Sequence, residues 1–286
     1  MRTAKERFVV ANGLRHHVLE WDGGAGTLLL LHGFLDHART WEELVEHLPP
    51  RWRIVAFDWR GHGESERVGA GGYYHFVDYI FDLADIVDAL GPGKVALCGH
   101  SMGGVVASLY AGAFPERVSR LALIEGLGPP AASPEDAPAR VNRWIEQVRA
   151  SRARPPRPLA SLAAAAHRLR HGNPRLDQER ALRLARTGTR AVDGGFLWTF
   201  DPLHRTRSPS PFLLDVASSF WRRVACPVAF VSGAESEMVV PDLDSRTACF
   251  PNAAGSYLVA GAGHRVQIDA PQALAEILRE FMDPVL

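Results

Sequence analysis

The sequence predicts an α/β fold with a mostly parallel central sheet, and two observations carry this prediction. Short apolar runs of strand length alternate with helical segments between residues 27 and 126. Strands that alternate with helices favour right-handed crossovers and parallel pairing. The strand pattern stops near residue 127 and returns at Pro227. The chain of 286 residues can therefore hold one α/β core with an insertion near its middle.

The predicted elements of the first half follow one another closely. Residues 7–21 are typical of a hairpin with Asn12-Gly13 at its turn. A buried strand at 27–31 leads into His32-Gly33-Phe34. The spacing of apolar residues then predicts, in chain order, a helix at 41–48, a strand at 53–57, a helix at 76–90, a strand at 95–98, a helix from 105 onward and a strand at 121–124.

The second half begins with an insertion. Residues 127–224 lose the strand signal and become helical, rich in arginine and broken by prolines. We predict a helical cap, or lid, over residues 127–224, and a core formed by 1–126 and 225–286. The core then continues with strands at 228–231 and 255–259 and closes with an amphipathic helix at 271–282.

One arginine run within this cap has two interpretations. A solvated helix face is the more common one, and a preference for anionic or acyl-carrier substrates is the other. The run comprises Arg149, Arg152, Arg154 and Arg157.

Composition excludes several function classes. Lys+Arg and Asp+Glu each number 32, so no net charge attracts nucleic acid or an anionic membrane. No apolar stretch approaches 18 residues, and the amino-terminal segment lacks the features of a signal peptide. The three cysteines show no C-x-x-C spacing, which favours buried thiols in a reducing compartment. We therefore expect a cytoplasmic protein whose partner is a small-molecule substrate.

The strongest catalytic signal is the stretch GHSMGG at residues 99–104. An apolar strand precedes it and an apolar helix follows it. Gly99 and Gly103 lack Cβ atoms, so strand and helix can pack closely around a strained Ser101. This is the G-x-S-x-G nucleophile elbow in the structural context that the motif requires. We predict Ser101 as the nucleophile.

A serine nucleophile needs a base, and in this type of fold the base comes last along the chain. Residues 261–264 read Gly-Ala-Gly-His, between the last predicted strand and the final helix. Small neighbours leave room for an imidazole in a cleft. We predict His264 as the general base.

The acid that orients His264 has three candidates. Glu237 lies in the loop after the strand at 228–231, and its Ser-Glu pair and Pro241 favour it. Glu125 ends an earlier strand and is the main alternative, with a structural role at the strand end as its other interpretation. Glu235 is the third. Loops at the carboxyl ends of parallel strands build the ligand crevice, and all three satisfy this condition.

Two backbone N–H groups should form the oxyanion hole. One belongs to the residue after the nucleophile, Met102, and the other to the loop after the His32-Gly33 strand, most simply Phe34. The charged stretch from Asp58 to Ser65 is expected to be a structural turn beside the site. The sequence contains no H-E-x-x-H, and Gly69 to Gly72 lacks the Lys-Ser/Thr of a phosphate loop.

Taken together, these motifs resemble the α/β-hydrolase superfamily, and within it the serine hydrolase-like proteins. The resemblance rests on HGF at 32–34, DWRGHGES at 58–65, GHSMGG at 99–104 and GAGH at 261–264, and it spans nearly the whole chain. It implies a triad of Ser101, a carboxylate and His264, with no metal or organic cofactor. Relatives often carry Asp where this chain has Glu237. Haloalkane dehalogenases and epoxide hydrolases of the superfamily have Asp at the elbow, so Ser101 argues against both activities.

The favoured function is a serine hydrolase that cleaves a carboxylic ester, thioester or lactone through an acyl-enzyme on Ser101. Two alternatives remain open at this stage. One is a non-catalytic relative that binds a small molecule or a partner, against which the intact Ser101 and His264 argue. The other is hydrolysis of a carbon–carbon bond.

Overall fold

A computed structural model of the protein describes residues 2–24, 26–238, 240 and 242–286. The described residues form ten strands: β1 (Lys5–Ala11), β2 (Leu14–Trp21), β3 (Thr27–Leu31), β4 (Arg53–Phe57), β5 (Val95–His100), β6 (Val118–Ile124), β7 (Thr189–Val192), β8 (Gly195–Trp198), β9 (Val228–Gly233) and β10 (Ala253–Val259). Eight of them make one sheet in the order β1-β2-β4-β3-β5-β6-β9-β10. The pairs β1–β2 and β2–β4 are antiparallel, and all pairs from β4 to β10 are parallel. The predicted α/β class with a mostly parallel sheet is confirmed.

Helices cover both faces of this sheet. The α-helices of the described chain are α1 (Glu42–His47), α2 (Phe76–Leu90), α3 (Met102–Ala113), α4 (Ala137–Ala153), α5 (Leu162–Gly172), α6 (Gln178–Gly188), α7 (Leu214–Trp221), α8 (Leu243–Thr247), α9 (Val266–Asp269) and α10 (Pro271–Met282). Short 3₁₀ helices occur at Ala38–Trp41, Pro115–Arg117, Pro134–Asp136, Pro202–Arg205 and Asp283–Val285. Side chains of α2, α3 and α7 belong to one apolar core cluster, and those of α1, α9 and α10 to a second.

The central strands show why the sheet forms. All five residues of β3 are buried, and β5 is buried along its whole length. A strand covered by helices on both faces needs an uninterrupted apolar sequence, which TLLLL and VALC supply. The carboxyl ends of β3, β5, β6 and β9 consequently meet at one edge of the sheet, where the predicted site residues lie.

The segment between β6 and β9 is not purely helical. It holds α4 to α7, as expected, but also the antiparallel hairpin β7–β8. Its turn is Asp193-Gly194, where Gly194 has a φ of +79°. The Asp-Gly pair is a recognised hairpin signal that the helical pattern around it obscures. The four arginines Arg149, Arg152, Arg154 and Arg157 are exposed, which agrees with a solvated face.

The last helix of this segment packs into the core. Trp221 in α7 is fully buried, and its indole N–H donates to Ser108 Oγ of α3 over 2.9 Å. A Cβ on Gly112 would lie 2.2 Å from the Phe220 carbonyl oxygen, so α3 and α7 are in close contact. Before α7, the Ala132 N–H donates to the Phe212 carbonyl oxygen over 3.0 Å, which brings both ends of the preceding insertion together. The predicted cap, which ends at residue 224, therefore includes a helix, α7, that packs as part of the core.

The composition predicts no membrane-spanning segment and buried, unpaired cysteines. No described helix combines the length and the apolar character that crossing a membrane would need. All three cysteines are free thiols, and Cys98 and Cys226 are buried.

Candidate active site

The nucleophile elbow lies between β5 and α3. Ser101 has φ +50° and ψ −118°, a conformation that L-residues rarely adopt. A Cβ on Gly99 would lie 2.6 Å from the Gly103 carbonyl oxygen, and a Cβ on Gly103 would lie 2.3 Å from the Leu31 carbonyl oxygen. Only glycine fits at both positions. The structure thus has the strained strand-to-helix turn that the G-x-S-x-G motif predicts.

His264 lies directly beside this serine. Its Nε2 atom is 3.1 Å from Ser101 Oγ, within hydrogen-bond distance. The residue follows β10, in the loop predicted for the base, and its side chain is 28% exposed. This exposure leaves the imidazole accessible from the cleft. Ser101 and His264 are therefore arranged as a nucleophile and a base.

A neighbouring histidine fixes the backbone at this position. His100 is buried, and its Nε2–H donates to the His264 carbonyl oxygen over 2.9 Å. With that tautomer, His100 Nδ1 accepts from the Gln267 side-chain amide at 3.2 Å. Burial, together with the nearby His264, lowers the pKa of His100 well below its usual value, which keeps the ring neutral.

Glu125 lies beside the other ring nitrogen of His264. Its Oε2 atom lies 3.4 Å from His264 Nδ1, and its side chain is 6% exposed. Oε1 accepts the Gly233 N–H over 2.9 Å, and Oε2 accepts the Ser236 hydroxyl over 2.9 Å. Glu125 also has a positive φ of +51°, at the end of β6. Its carboxylate is thus buried, hydrogen-bonded and aligned with the base.

The expectation for Glu237 does not fit the structure. Glu237 is exposed, and no described contact joins it to His264. Glu235 instead forms an ion pair of 2.6 Å with Arg175. The physical reason is that the turn after β9 holds other groups together: its backbone N–H groups bind Glu125, the Val259 carbonyl and the Ala262 carbonyl. The supporting residue Pro241 lies outside the described residues.

Both predicted oxyanion donors lie close to the elbow. Met102 follows Ser101 directly, and Phe34 follows Gly33, where a Cβ would lie 3.3 Å from Ser101 Cβ. Within the described chain, no protein acceptor takes up the N–H of Phe34 or of Met102. Two free N–H groups beside a nucleophile can bind a developing oxyanion.

Buried histidines hold the loop that carries Phe34. His32 Nε2 accepts the Trp59 N–H over 3.0 Å, and burial lowers the pKa of His32 to about 3. His62 Nε2 accepts the Leu35 N–H over 3.3 Å, and burial lowers the pKa of His62 to about 4. Both rings are neutral and act as hydrogen-bond acceptors for backbone. The sequence analysis gives no individual role to His32 or His62, although His32 lies in the motif HGF and His62 in DWRGHGES.

Asp58 organises the turn after β4. Its carboxylate accepts the Ala38 N–H over 2.6 Å, the Glu64 N–H over 2.9 Å and a hydrogen bond from His17 Nδ1 over 2.9 Å. Burial by itself would raise the pKa of Asp58, but the hydrogen bond from His17 and the nearby histidines lower it overall. The stretch from Asp58 to Ser65 is accordingly a hydrogen-bonded turn beside the site.

One cluster has the composition of a metal site. Glu6, His17 and Glu64 bring one potential ligand atom each within 4.8 Å of one another. Arg39 already contacts this cluster, at 2.7 Å from Glu6 Oε2 and 3.9 Å from Glu64 Oε1. A guanidinium supplies the positive charge there, so the cluster is explained as an ion-pair network.

Comparison with known proteins agrees with this fold. Residues 26–271 match the family model described as alpha/beta hydrolase fold. The chain belongs to the α/β-hydrolase family. It is 28% identical over 266 residues to the serine hydrolase-like protein of Danio rerio, which covers 90% of this chain and 81% of the relative. It is 38% identical to epoxide hydrolase 4 of Mus musculus over 114 residues, covering 40% of this chain and 32% of that protein.

A solved structure agrees over nearly the full length. The thioesterase domain from the curacin biosynthetic pathway superposes with a TM-score of 0.84 at 26% identity, covering 96% of this chain and 99% of that domain. The resemblance to serine hydrolase-like proteins and the α/β-hydrolase fold are therefore confirmed. The chain is a member of a hydrolase family with thioesterase and epoxide hydrolase neighbours.

Proposed function

We propose that this protein is a serine hydrolase that cleaves carboxylic esters, thioesters or lactones. The observation that carries the proposal is the unbroken series of contacts from Ser101 Oγ to His264 Nε2 and from His264 Nδ1 to Glu125 Oε2. The resemblance to a thioesterase domain supports the inclusion of thioesters. Serine at the elbow supports an acyl-enzyme and argues against an epoxide substrate.

In the proposed reaction, Ser101 Oγ attacks the carbonyl carbon and His264 Nε2 takes the hydroxyl proton. Glu125 stabilises the imidazolium that forms, and the N–H groups of Phe34 and Met102 bind the oxyanion. The intermediate then collapses, and His264 returns the proton to the departing alcohol or thiol. In the second half, His264 deprotonates water, which attacks the acyl-enzyme and releases the acid and free Ser101.

We further propose residues 133–211 as the lid of this site. Two contacts support the assignment: Arg175 binds Glu235, and the Asn173 amide donates to Asp269 Oδ1 over 2.6 Å. Asp269 Oδ2 in turn accepts the Gly263 N–H over 2.9 Å, next to His264. The inserted segment is thus joined to the loop that carries the base.

The proposal is tested by labelling and turnover of Ser101→Ala. A fluorophosphonate probe should label the native protein and fail to label the variant, because only an activated serine reacts. Loss of a triad nucleophile costs on the order of 10⁶ in kcat. Ser219→Ala, at an exposed serine of α7, is the matched control and should behave as the native protein.

Two outcomes would contradict the proposal. Retention of more than about a tenth of the esterase activity by Ser101→Ala would exclude Ser101 as the nucleophile, since triad removal costs far more. A folded native protein that neither reacts with the probe nor turns over any ester would favour a binding function.

A further inference from the structure

One side chain of the inserted segment contacts the loop that carries the oxyanion donor Phe34. His204, in the 3₁₀ helix Pro202–Arg205, is 5% exposed. Its ring stacks between those of His62 and Tyr74, with centroid distances of 4.0 and 3.8 Å. The Phe34 ring meets the same imidazole edge-on, with centroids 6.3 Å apart and an angle of 86° between the planes. A residue of the insertion thus packs against Phe34 itself and against the neighbouring His62.

The backbone directly after Phe34 is strained. Leu35 has a φ of +57°, in the left-handed region that L-residues seldom adopt. Such a conformation persists only where the surrounding structure holds it. The Leu35 N–H donates to His62 Nε2 over 3.3 Å, and His62 Nδ1–H donates to the Arg60 carbonyl oxygen over 3.1 Å. The His62 ring therefore holds Leu35 in this conformation and, through it, the position of Phe34.

Hydrogen bonds fix the segment around His204 to the core. The Asp201 N–H donates to the Gly61 carbonyl oxygen over 2.7 Å, and the Tyr74 hydroxyl donates to Asp201 Oδ2 over 2.8 Å. The Asp201 side chain also caps the short helix that contains His204. Because Gly61 directly precedes His62, these contacts keep the two stacked imidazoles at a fixed separation.

His204 acts here through the shape of its ring. Burial, together with the nearby His62, lowers the pKa of His204 well below its usual value, so the ring is neutral. Its Nδ1 atom lies 3.3 Å from the Tyr79 hydroxyl. Its Nε2 atom has no hydrogen-bond partner among the described residues. A flat apolar ring of similar size can therefore replace it in the stack.

We propose that His204 is a positioning residue for the oxyanion hole. By packing on His62 and Phe34, it keeps the Phe34 N–H where an oxyanion forms. The inserted segment then contributes to the chemical step and not only to the choice of substrate. This inference rests on the proposed function, because it requires an oxyanion formed by attack of Ser101. Loss of one oxyanion donor costs about 10²–10³ in kcat, and a displacement of about 1 Å costs up to about 10².

Substitutions at position 204 test this role with para-nitrophenyl hexanoate. In His204→Ala, kcat should fall about 10- to 100-fold while KM stays within about twofold, the pattern for a contact that matters only in the transition state. His204→Phe keeps the flat ring and should restore most of the native kcat. His204→Leu fills most of the space without a flat ring, so it should resemble His204→Ala and replaces that variant if it fails to fold. All variants should still react with a fluorophosphonate, but His204→Ala more slowly.

A matched control separates positioning from a loss of stability. Leu159→Ala truncates another buried side chain of the insertion, one that belongs to the apolar cluster between α5, α6 and the β7–β8 hairpin. Its melting temperature should fall, as in His204→Ala, whereas its kcat should stay close to the native value.

Inhibition by trifluoromethyl hexyl ketone provides a readout of the oxyanion hole. Ser101 Oγ adds to the ketone carbon, the hydroxyl proton passes to His264, and the resulting oxyanion faces the N–H groups of Phe34 and Met102. The Ki should rise in His204→Ala by about the factor by which kcat/KM falls, because the adduct resembles the transition state. In Leu159→Ala the Ki should stay close to the native value.

The outcomes distinguish this inference from the proposed function. Native values of kcat and Ki in His204→Ala and His204→Leu would overturn the positioning role and leave ester hydrolysis intact. An equal loss in Leu159→Ala, or a fall in kcat with an unchanged Ki, would overturn it as well. A native protein that neither hydrolyses the ester nor binds the ketone would refute the proposed function, and this inference with it.

Discussion

Glu125, the alternative candidate for the acid in the sequence, is the carboxylate that the structure places beside His264. Its carboxylate faces His264 Nδ1 and is held by the Gly233 N–H and the Ser236 hydroxyl. The loop after β9, where the sequence favours the acid, thus holds the carboxylate of Glu125, which directly follows β6. Ser236 from this loop donates a hydrogen bond to Glu125 at the end of the neighbouring strand.

This arrangement predicts different effects for two conservative substitutions. Glu125→Gln removes the charge that stabilises the imidazolium and permits the wrong tautomer of His264, so kcat should fall by about 10⁴. Glu237→Gln, at an exposed position, should stay close to native activity. Steady-state kinetics with an activated ester and thermal melting of both variants provide the measurement. The acid assignment fails if Glu237→Gln loses activity and Glu125→Gln keeps it.

Site residues that lie in a short sequence motif could be selected from the sequence. A site residue whose role depends on which strands are neighbours in the sheet could not. Ser101 lies in a motif whose glycines are visible in sequence, and His264 lies in a glycine-flanked loop after the last strand. The acid depends on which strand ends meet beside His264. Glu125 and Glu237 both follow strands, and they are distinguished by the contact of Glu125 with His264 Nδ1 and by the packing of the β9 turn against Glu125.

At the scale of elements, the alternation of strands and helices was sufficient to predict the core. Inside the insertion, apolar spacing alone cannot separate a lid helix from a core helix, because both bury one face. The α7 helix belongs to the core through Trp221 and its hydrogen bond to Ser108. The β7–β8 hairpin is short and only partly buried, so its sequence lacks a strong strand pattern.

The hydrogen bond that joins the two ends of the insertion predicts that the segment between them can be removed. Residues 133–211 can be replaced by a short Gly-Ser linker, because the Ala132 N–H already contacts the Phe212 carbonyl over 3.0 Å. The shortened protein should fold, label with a fluorophosphonate and lose its preference among ester chain lengths. Replacement of the whole range 127–224 is the comparison, and it should be destabilising because it removes Trp221. An unchanged chain-length profile in the shortened protein would show that the insertion does not line the site.

At the scale of the whole molecule, four of the buried histidines have a lowered pKa, and these make stability depend on pH. Burial lowers the pKa of His32, His62, His100 and His204 below the value of about 6.5 for an unfolded chain. The unfolded state therefore binds protons first as the pH falls. Each such histidine should reduce the free energy of unfolding by about 1.4 kcal/mol per pH unit below about pH 6.5.

One variant isolates the contribution of His204 to the change of the unfolding free energy with pH. His204 stacks between His62 and Tyr74, at ring distances of 4.0 and 3.8 Å, and phenylalanine can keep both contacts. In His204→Phe, the fall in unfolding free energy between pH 6.5 and 5 should be smaller by about 1.4 kcal/mol per pH unit. Urea titrations at several pH values measure it. The exposed His47→Gln is the control, and an identical slope in native protein and His204→Phe would refute the assignment.

The left-handed backbone at Ser101 has a consequence beyond catalysis. A non-glycine residue in so sparsely populated a conformation costs about 1–3 kcal/mol, and the rest of the fold must offset that cost. Glycine would relieve this strain at the same position while removing the nucleophile. The side chain of Ser101 is therefore kept at a cost in folding free energy that glycine at this position would not carry.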